Sequence, residues 1–287
     1  MLKRQWVIYT LITTLFWGIW GALIEIPGRA GFPPTLVYIV WSLTMIPCSL
    51  AGLAIVKWKL NHDLKSIVYG MVIGLTGAGG QIILFQALLS GPAYLVFPIV
   101  SLSPVVTVLL SVIFLKETTN RRHWAGIILA LISIGLMSFQ KPDNNAISGY
   151  LWFAFAIFVF FAWGIQAYYM KIANSHMNSE SIFFYMMVTG IMLVPVAYLM
   201  TDMTSEINWG FRGPYLAAIV SIFNSIGALT LVYAIRHGKV IIVAPLINAG
   251  APVITIVLSL LIYMVIPDPV IIVGIIIALI AVYLMAE

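Results

Sequence analysis

The chain has 287 residues, of which 62% are hydrophobic and only 8% are charged. A soluble domain carries about 25% charged residues, so this chain has too few charges to cover a water-facing surface. The basic residues behind the net charge of +5 stand mostly in short connections between apolar runs. That placement is typical of a membrane protein, so we expect a lipid bilayer as the surroundings and no nucleic acid as a partner.

Ten stretches are long and apolar enough to cross a bilayer as helices, which takes about 20 residues each. The sequence therefore predicts an all-α membrane protein with ten transmembrane helices, over residues 6–24, 34–55, 66–90, 92–115, 122–139, 149–171, 180–201, 213–236, 240–264 and 268–286. The first stretch lacks a convincing small-residue cleavage site, so we interpret it as a retained helix and not as a signal peptide.

Lysine and arginine are distributed unequally between the two sets of connections. With the N-terminus in the cytoplasm, eleven of the fourteen lie in cytoplasmic segments, and only Arg29, Lys141 and Arg212 lie on the opposite side. An excess of basic residues marks the cytoplasmic side of a membrane protein. The sequence therefore predicts a multi-pass protein of the inner membrane, with the N-terminus and the C-terminus both cytoplasmic.

The chain contains an internal repeat. Phe16-Trp17-Gly18-Ile19 returns 146 residues later as Ala162-Trp163-Gly164-Ile165, and the segment from Gln86 to Pro98 aligns with the segment from Tyr233 to Pro245 at an offset of 147. Further on the offset is 148, as in Thr107 with Thr255 and Gly126 with Gly274. We predict two halves, residues 1–140 and 149–287, and five spans per half make the second an inverted copy of the first. Inverted repeats are common in secondary transporters, whose sites lie between the repeats.

Prolines stand at corresponding places in the two halves, Pro98 and Pro104 in span four and Pro245 and Pro252 in span nine. Proline removes a backbone donor from a helix. Interrupted segments at matching positions indicate a transport site. We therefore interpret the four prolines as candidate hinges or helix breaks, with simple packing kinks as the alternative.

Several motifs are shared with one transporter family: Phe16-Trp17-Gly18, Gly91-Pro92-Ala93-Tyr94, the run from Phe97 to Thr107, Leu115-Lys116-Glu117, and Gly126. Together with the duplicated five-span unit, they make the chain resemble the EamA-type drug/metabolite transporter superfamily in its ten-span form. The resemblance implies a central cavity lined by spans one, three, four, six, eight and nine, with spans five and ten at the periphery. Members of the superfamily move amino acids, nucleotide sugars, sugar phosphates, nucleobases, amines or drugs.

Helical spacing places small and polar residues on one face of each of these six spans. The candidates for contact with a substrate are Trp17, Trp20, Gln81, Ser101, Trp163, Gln166, Asn224 and Asn248. For the serine, a hydrogen bond within the membrane helices is the alternative. For the tryptophans, packing or gating is the alternative to stacking on a ligand.

The sequence offers no set of groups for catalysis. The four histidines are scattered over loops and span ends, there is one cysteine, and no acid or base stands in the middle of a span. We therefore expect no enzyme, no metal and no cofactor. Because no acidic or basic residue stands in the middle of a span, the sequence favours a neutral or zwitterionic substrate over strong ion coupling.

These features predict a secondary transporter that moves a small polar or amphipathic metabolite, such as an amino-acid-like or nucleobase-like compound, by alternating access. Export is favoured over import because export is the more common activity in the superfamily that the chain resembles. A lipid or lipid-linked flippase of the same fold is the nearer alternative, and a membrane-embedded enzyme is the more remote one. The partners are then a small-molecule substrate and the lipid bilayer, and the sequence leaves monomer and homodimer open.

Overall fold

A computed structural model of the chain describes residues 5–90, 96, 99–137, 139, 150–263 and 268–286. Within these ranges the regular secondary structure is entirely helical. Among the described residues, seven helices are long and apolar enough to cross a membrane, and shorter apolar helices accompany them. The predicted all-α membrane fold of ten helices in two repeats is confirmed.

The first repeat contains spans one to five. Its elements are α1 (Gln5–Leu23), the short α2 (Glu25–Arg29), α3 (Pro34–Ile55), α4 (Leu64–Gly74), a π-helical turn (Leu75–Gly79), α5 (Gly80–Ser90), α6 (Pro104–Ile113) and α7 (Arg121–Met137). Span three is made of α4, the π-helical turn and α5 in succession. Of span four, the structure describes α6 and the residues just before it.

The second repeat contains spans six to ten. Its elements are α8 (Leu151–Asn174), α9 (Ser179–Met192), α10 (Val194–Leu199), a second π-helical turn (Phe211–Tyr215), α11 (Leu216–His237), α12 (Val240–Tyr263) and α13 (Pro269–Ala286). Span seven is α9 followed by α10, and span eight is the π-helical turn followed by α11.

Two helices begin at polar caps that the sequence supplies. The Ser66 backbone N–H donates to Asp63 Oδ2 (3.1 Å) at the start of α4, and the Ser181 N–H donates to Asn178 Oδ1 (2.7 Å) at the start of α9. Such caps satisfy backbone donors that have no partner inside the helix. His176 Nε2 lies 3.0 Å from Asp63 Oδ2, and this hydrogen bond lowers the pKa of the Asp63 carboxyl.

The two repeats point in opposite directions. The first turns of α1 bring the Tyr9 ring onto the rings of Tyr233 (5.1 Å) and His237 (6.0 Å), near the end of α11. The last turn of α8 reaches the same end of α11, where the Asn174 side-chain amide donates to the Val232 carbonyl oxygen (3.1 Å). Helix α1 therefore begins on the face of the molecule at which its repeat counterpart α8 ends. We call this the proximal face, and the opposite one the distal face.

Connections from both repeats meet on each face. On the proximal face, the Tyr185 hydroxyl donates to the Asn61 carbonyl oxygen (2.7 Å). On the distal face, the hydroxyl oxygens of Thr35 and Thr201 are 2.7 Å apart. Each contact joins the first repeat to the second, as the alternation of ten crossings requires.

The first helix of each repeat packs mainly against the other repeat. Helix α1 contacts α11 and α12, whereas α8 contacts α4, α5 and α6. Helix α3 likewise packs on α11, and α9 packs on α4. The helices therefore form two mixed bundles, a first bundle of α1, α3, α11 and α12 and a second bundle of α4, α5, α6, α8 and α9, and the two bundles pack on each other through α3 and α9.

One pair of equivalent contacts shows how closely the helices approach within each bundle. The Thr255 hydroxyl donates to the Gly18 carbonyl oxygen (3.0 Å), and the equivalent Thr107 hydroxyl donates to the Gly164 carbonyl oxygen (3.0 Å). A Cβ atom added to Gly18 would lie 2.5 Å from the Ile254 Cβ atom, and one added to Gly164 would meet Val106 at 2.4 Å. Only glycine allows these approaches, as is usual where small residues bring membrane helices together.

Spans five and ten form a peripheral pair, as the resemblance implies. Helices α7 and α13 pack on each other through Gly126 against Met285 and, equivalently, through Gly274 against Met137. This pair also packs against α12. The twofold relation between the repeats therefore extends to the edge of the molecule.

We expect Gly164→Ala and Gly18→Ala each to destabilise the protein by about 1–3 kcal/mol, because an added methyl group overpacks a rigid helix contact. The measurement is the midpoint of thermal unfolding of the purified protein in detergent. Gly135→Ala is the matched control, since a Cβ atom at this helical position meets nothing within 4 Å. An unchanged midpoint for both test variants would show that the contacts tolerate a side chain.

Candidate functional site

A cavity of about 340 Å³ lies between the two bundles. This volume is within the range of roughly 300–1,000 Å³ that is usual for sites that bind small molecules. Its walls come from both repeats and are formed by Trp17, Trp20, Gly21, Trp41, Met45, Gly74, Gly77, Ala78, Gln81, Ser103, Pro104, Thr107, Trp163, Gln166, Ala167, Met186, Asn224, Ala228, Leu231, Ala244, Ile247, Asn248, Ala251, Pro252 and Thr255.

The structure brings most of the candidate residues to this one cavity. Seven of the eight line it: Trp17, Trp20, Gln81, Trp163, Gln166, Asn224 and Asn248. Ser101 is not among the lining residues, and Ser103 takes its place. The tryptophans and the amides therefore lie around a common space, although they come from five different spans.

The position of Ser101 follows from a change in helical winding before Pro104. The Leu102 N–H donates to the Ile99 carbonyl oxygen (3.3 Å), and the Ser103 N–H donates to the Val100 carbonyl oxygen (3.0 Å). These bonds span three residues instead of four, so the chain is wound more tightly than an α-helix. The prediction for Ser101 assumed regular α-helical spacing; the tighter winding accounts for its absence from the lining, and its contact with a substrate stays a prediction.

The four prolines have different surroundings. Pro104 begins α6 and lines the cavity, and Pro252 lines it from within α12. Helix α12 continues through both Pro245 and Pro252, so it has no break at either residue, and Pro245 is not a lining residue. Packing on all sides holds α12 together, as neighbouring helices do for prolines in membranes. Pro98 lies outside the described residues.

Two equivalent tryptophans are held in place by their indole N–H groups. Trp17 Nε1 donates to the Asn224 carbonyl oxygen (3.2 Å), and Trp163 Nε1 donates to the Gly77 carbonyl oxygen (3.3 Å). Each bond joins the two repeats but stays within one bundle. Both rings therefore form fixed walls on opposite sides of the cavity.

Glycines make room for these rings. A Cβ atom added to Gly227 would lie 2.4 Å from Trp17 Cδ1, and one added to the equivalent Gly80 would lie 2.6 Å from Trp163 Nε1. Gly77, in the π-helical turn of span three, is similarly close to the amide of Gln166. Single π-helical turns inside α-helices are frequent at functional sites.

Trp41 is a wall residue that the sequence analysis did not select. It lies on α3 in span two, and its Nε1 donates to Asn224 Oδ1 (2.8 Å). Met45 on the same helix and Met186 on α9 also line the cavity, so spans two and seven contribute as well. The available signal was the place of Trp41 near the middle of its span, since membrane tryptophans are enriched at the ends.

The remaining polar atoms of the cavity have few protein partners. Trp20 Nε1 is buried without a hydrogen-bond partner, and the amides of Gln81 and Gln166 make no hydrogen bond within the part of the chain that the structure describes. Asn248 Nδ2 donates to the Ala244 carbonyl oxygen (2.9 Å), which leaves Asn248 Oδ1 as an acceptor. Asn224 Oδ1 already accepts the hydrogen bond of the Trp41 indole N–H. The NH₂ group of Asn224 therefore remains available as a donor.

The lining residues carry no charge. The buried acid that the structure does reveal is Glu180, on the proximal side of α9, where its Oε1 accepts a hydrogen bond from the Tyr233 hydroxyl (2.6 Å). Sequence reasoning missed Glu180 because it follows the cap residue Asn178, where an acid is usual for a helix start. It does not line the cavity.

Charged groups link the two bundles on the proximal side of the cavity. Lys171 on α8 donates to the carbonyl oxygens of Ile235 (3.0 Å) and Gly238, and its Nζ is 3.9 Å from Glu117 Oε1. Glu117 Oε2 also accepts a hydrogen bond from the Ile241 N–H (3.2 Å) at the start of α12. An acid in that position is stabilised by the helix dipole. These groups hold the bundles together on this face.

Two known proteins each match this chain over part of its length. An uncharacterized protein of Methanocaldococcus jannaschii is 31% identical over 135 residues, which are 47% of this chain and 97% of that protein. The probable 4-amino-4-deoxy-L-arabinose-phosphoundecaprenol flippase subunit ArnE of Proteus mirabilis is 30% identical over 109 residues, 37% of this chain and 96% of that protein. Each relative therefore has about the length of one repeat.

A solved crystal structure with 18% sequence identity superposes with a TM-score of 0.79 and covers 96% of this chain and 97% of its own. At this identity the likeness shows the fold alone. The family model of the EamA-like transporter family matches residues 4–139 and again residues 149–286. Because the two matches together span nearly the whole sequence, the chain belongs to the EamA-like transporter family.

Proposed function

We propose that the protein is a secondary transporter that moves a small polar or amphipathic metabolite across the inner membrane, with export favoured over import. The observation that carries the proposal is the uncharged cavity between two mixed bundles of inverted helices. Amino-acid-like and nucleobase-like compounds have the size and polarity that such a cavity accepts. Membership of a transporter family supports the same activity.

Alternating access follows from the way the bundles are held together. The hydrogen bonds of Trp17, Trp163, Thr107 and Thr255 all lie within a bundle, so they can persist while the bundles move. The contacts of Lys171 and Glu117 lie between the bundles, so they must break to open the proximal side. Rigid-body movement of inverted units about a central site is the usual mechanism of secondary transporters.

We expect Gln166→Ala and Asn248→Ala each to lower the flux of substrate about ten-fold, because each variant loses a hydrogen bond to the substrate worth about 1.4 kcal/mol. A thermal-shift screen of small metabolites identifies the ligand, and uptake into proteoliposomes measures its flux. Gln5→Ala, a glutamine outside the cavity, is the matched control. Ligand affinity and flux that survive both cavity changes would place the site elsewhere.

Lys171→Gln is expected to open the proximal side more often, since losing an inter-bundle contact worth about 1.4 kcal/mol shifts the population about ten-fold. In a Cys48→Ser background, Ala228→Cys places a thiol on the cavity wall. A membrane-impermeant maleimide added to inside-out vesicles should label that thiol about ten-fold faster in the Lys171→Gln variant. Lys59→Gln, on an exposed loop, is the control, and equal rates would exclude a closing role for Lys171.

The orientation of the chain is a separate part of the proposal. We infer cytoplasmic termini because eleven of the fourteen basic residues then lie on the cytoplasmic side. A green fluorescent protein fused to the C-terminus should fluoresce, and alkaline phosphatase fused there should be inactive. The reverse result would invert the molecule in the membrane and make the proximal face external.

Flipping of a lipid-linked molecule is the second candidate function. The observation that favours it is the 30% identity with a probable flippase subunit over one repeat. A cavity of about 340 Å³ would then hold the polar headgroup, while the lipid chain stays in the bilayer. Proteoliposomes that contain a fluorescent lipid-linked sugar distinguish the two functions, because a flippase exposes the fluorophore to an external quencher and a carrier for soluble metabolites does not.

A further inference from the structure

We infer that the substrate is an uncharged planar ring that carries a hydrogen-bond donor and an acceptor side by side, as a carboxamide or a lactam does. The inference rests on the proposed transport function and narrows it to one chemical class. Three features of the cavity lead to it: flat aromatic walls, a balanced set of free donors and acceptors, and the lack of charged lining residues.

The aromatic walls are fixed before any ligand arrives. Trp17 and Trp163 are tied to backbone carbonyls of the opposite repeat, and Trp41 is tied to the Asn224 side chain. Their N–H groups are therefore occupied, and what they offer to a ligand is the face or the edge of a ring. Planar rings gain most from such surfaces, because aromatic pairs stack or meet edge to face.

The free polar atoms of the cavity match a ligand that both donates and accepts. The Asn224 NH₂ group is a free donor, and Asn248 Oδ1 is a free acceptor. Gln81 and Gln166 each present a whole amide, with donor and acceptor adjacent. A side-chain amide pairs in a bidentate manner with a planar edge that offers a donor next to an acceptor, as glutamine and asparagine do with adenine.

Net charge on the ligand would find no compensation. The lining residues include no acid and no base, and the nearby ionisable groups have partners outside the cavity. Glu180 accepts from Tyr233, and Lys171 donates to Ile235 and lies beside Glu117. Burying an unpaired charge is strongly unfavourable, so benzoate-like and amine-like ligands should be rejected.

Four compounds of nearly equal size test these features separately: benzamide, benzoate, benzylammonium and cyclohexanecarboxamide. We expect benzamide to bind the purified protein at least about ten-fold more tightly than the other three, as measured by isothermal titration calorimetry. Benzoate and benzylammonium test the exclusion of charge, and cyclohexanecarboxamide tests the need for a planar ring. Equal or undetectable binding of benzamide would overturn the inference.

Two variants assign the preference to this cavity. Gln81→Leu removes a whole amide from the cavity at nearly constant side-chain size, so benzamide binding should weaken about ten-fold. Gln166→Glu keeps the side-chain length and adds a negative charge, so the preference should move from benzamide to benzylammonium. Gln5→Glu adds the same charge outside the cavity and should leave the order of affinities unchanged. An unchanged order in both cavity variants would also overturn the inference.

Flux measurements separate a failure of this inference from a failure of the transport function. Proteoliposomes are loaded with radiolabelled benzamide, leucine or the fluorescent lipid-linked sugar. Gln166-dependent efflux of benzamide supports both statements. Gln166-dependent efflux of leucine without that of benzamide overturns the planar-ring inference and leaves the carrier function intact. Movement of the lipid-linked sugar alone overturns both.

Discussion

Exchange of the first helix between the repeats is the interaction on which the rest of the structure depends. Helix α1 docks on α12 through Gly18, and α8 docks on α6 through Gly164, with a threonine hydroxyl closing each contact. Without side chains at the two glycines, the helices approach closely enough for a hydroxyl to reach the backbone of its neighbour. The outcome is two bundles of mixed origin, and the cavity is the space left between them.

The same constraint explains why polar side chains line part of the cavity in an otherwise apolar protein. In a membrane, polar side chains are costly unless they find partners, and most do so within the protein. Thr13, Thr44 and Thr189 all bond to neighbouring helices or to their own backbone. The amides of Gln81 and Gln166 are exceptions to that rule, and both residues line the same cavity. Two amides without protein partners that line one cavity suit a binding site for a polar solute.

The sequence predicts most of this arrangement because hydrophobic length and helical spacing are local properties. Ten apolar stretches lead to ten helices, and an odd number of spans per repeat leads to inversion. Departures from regular spacing have local causes too: the chain is tightly wound before Pro104, where Ser101 is not a lining residue, and packing keeps α12 continuous through Pro252. The hydrogen bonds of Trp41 and Glu180 could be recognised only in three dimensions, because their partners Asn224 and Tyr233 lie on a helix distant in sequence.

The two faces of the molecule are not equivalent, although the scaffold is nearly symmetric. On the proximal face, Glu117 caps α12 and lies beside Lys171, so charge complementarity holds the bundles together. At the repeat offsets of 148 and 146, the corresponding positions in the other repeat hold a valine at 265 and a glutamate at 25. A valine and a glutamate cannot form an ion pair, so the repeat does not reproduce the charge complementarity of Glu117 and Lys171. Charged groups thus link the bundles on the proximal face, whereas the distal face brings together the hydroxyl groups of Thr35 and Thr201. In the proposed alternating-access mechanism, this difference between the faces would give the two end states unequal free energies.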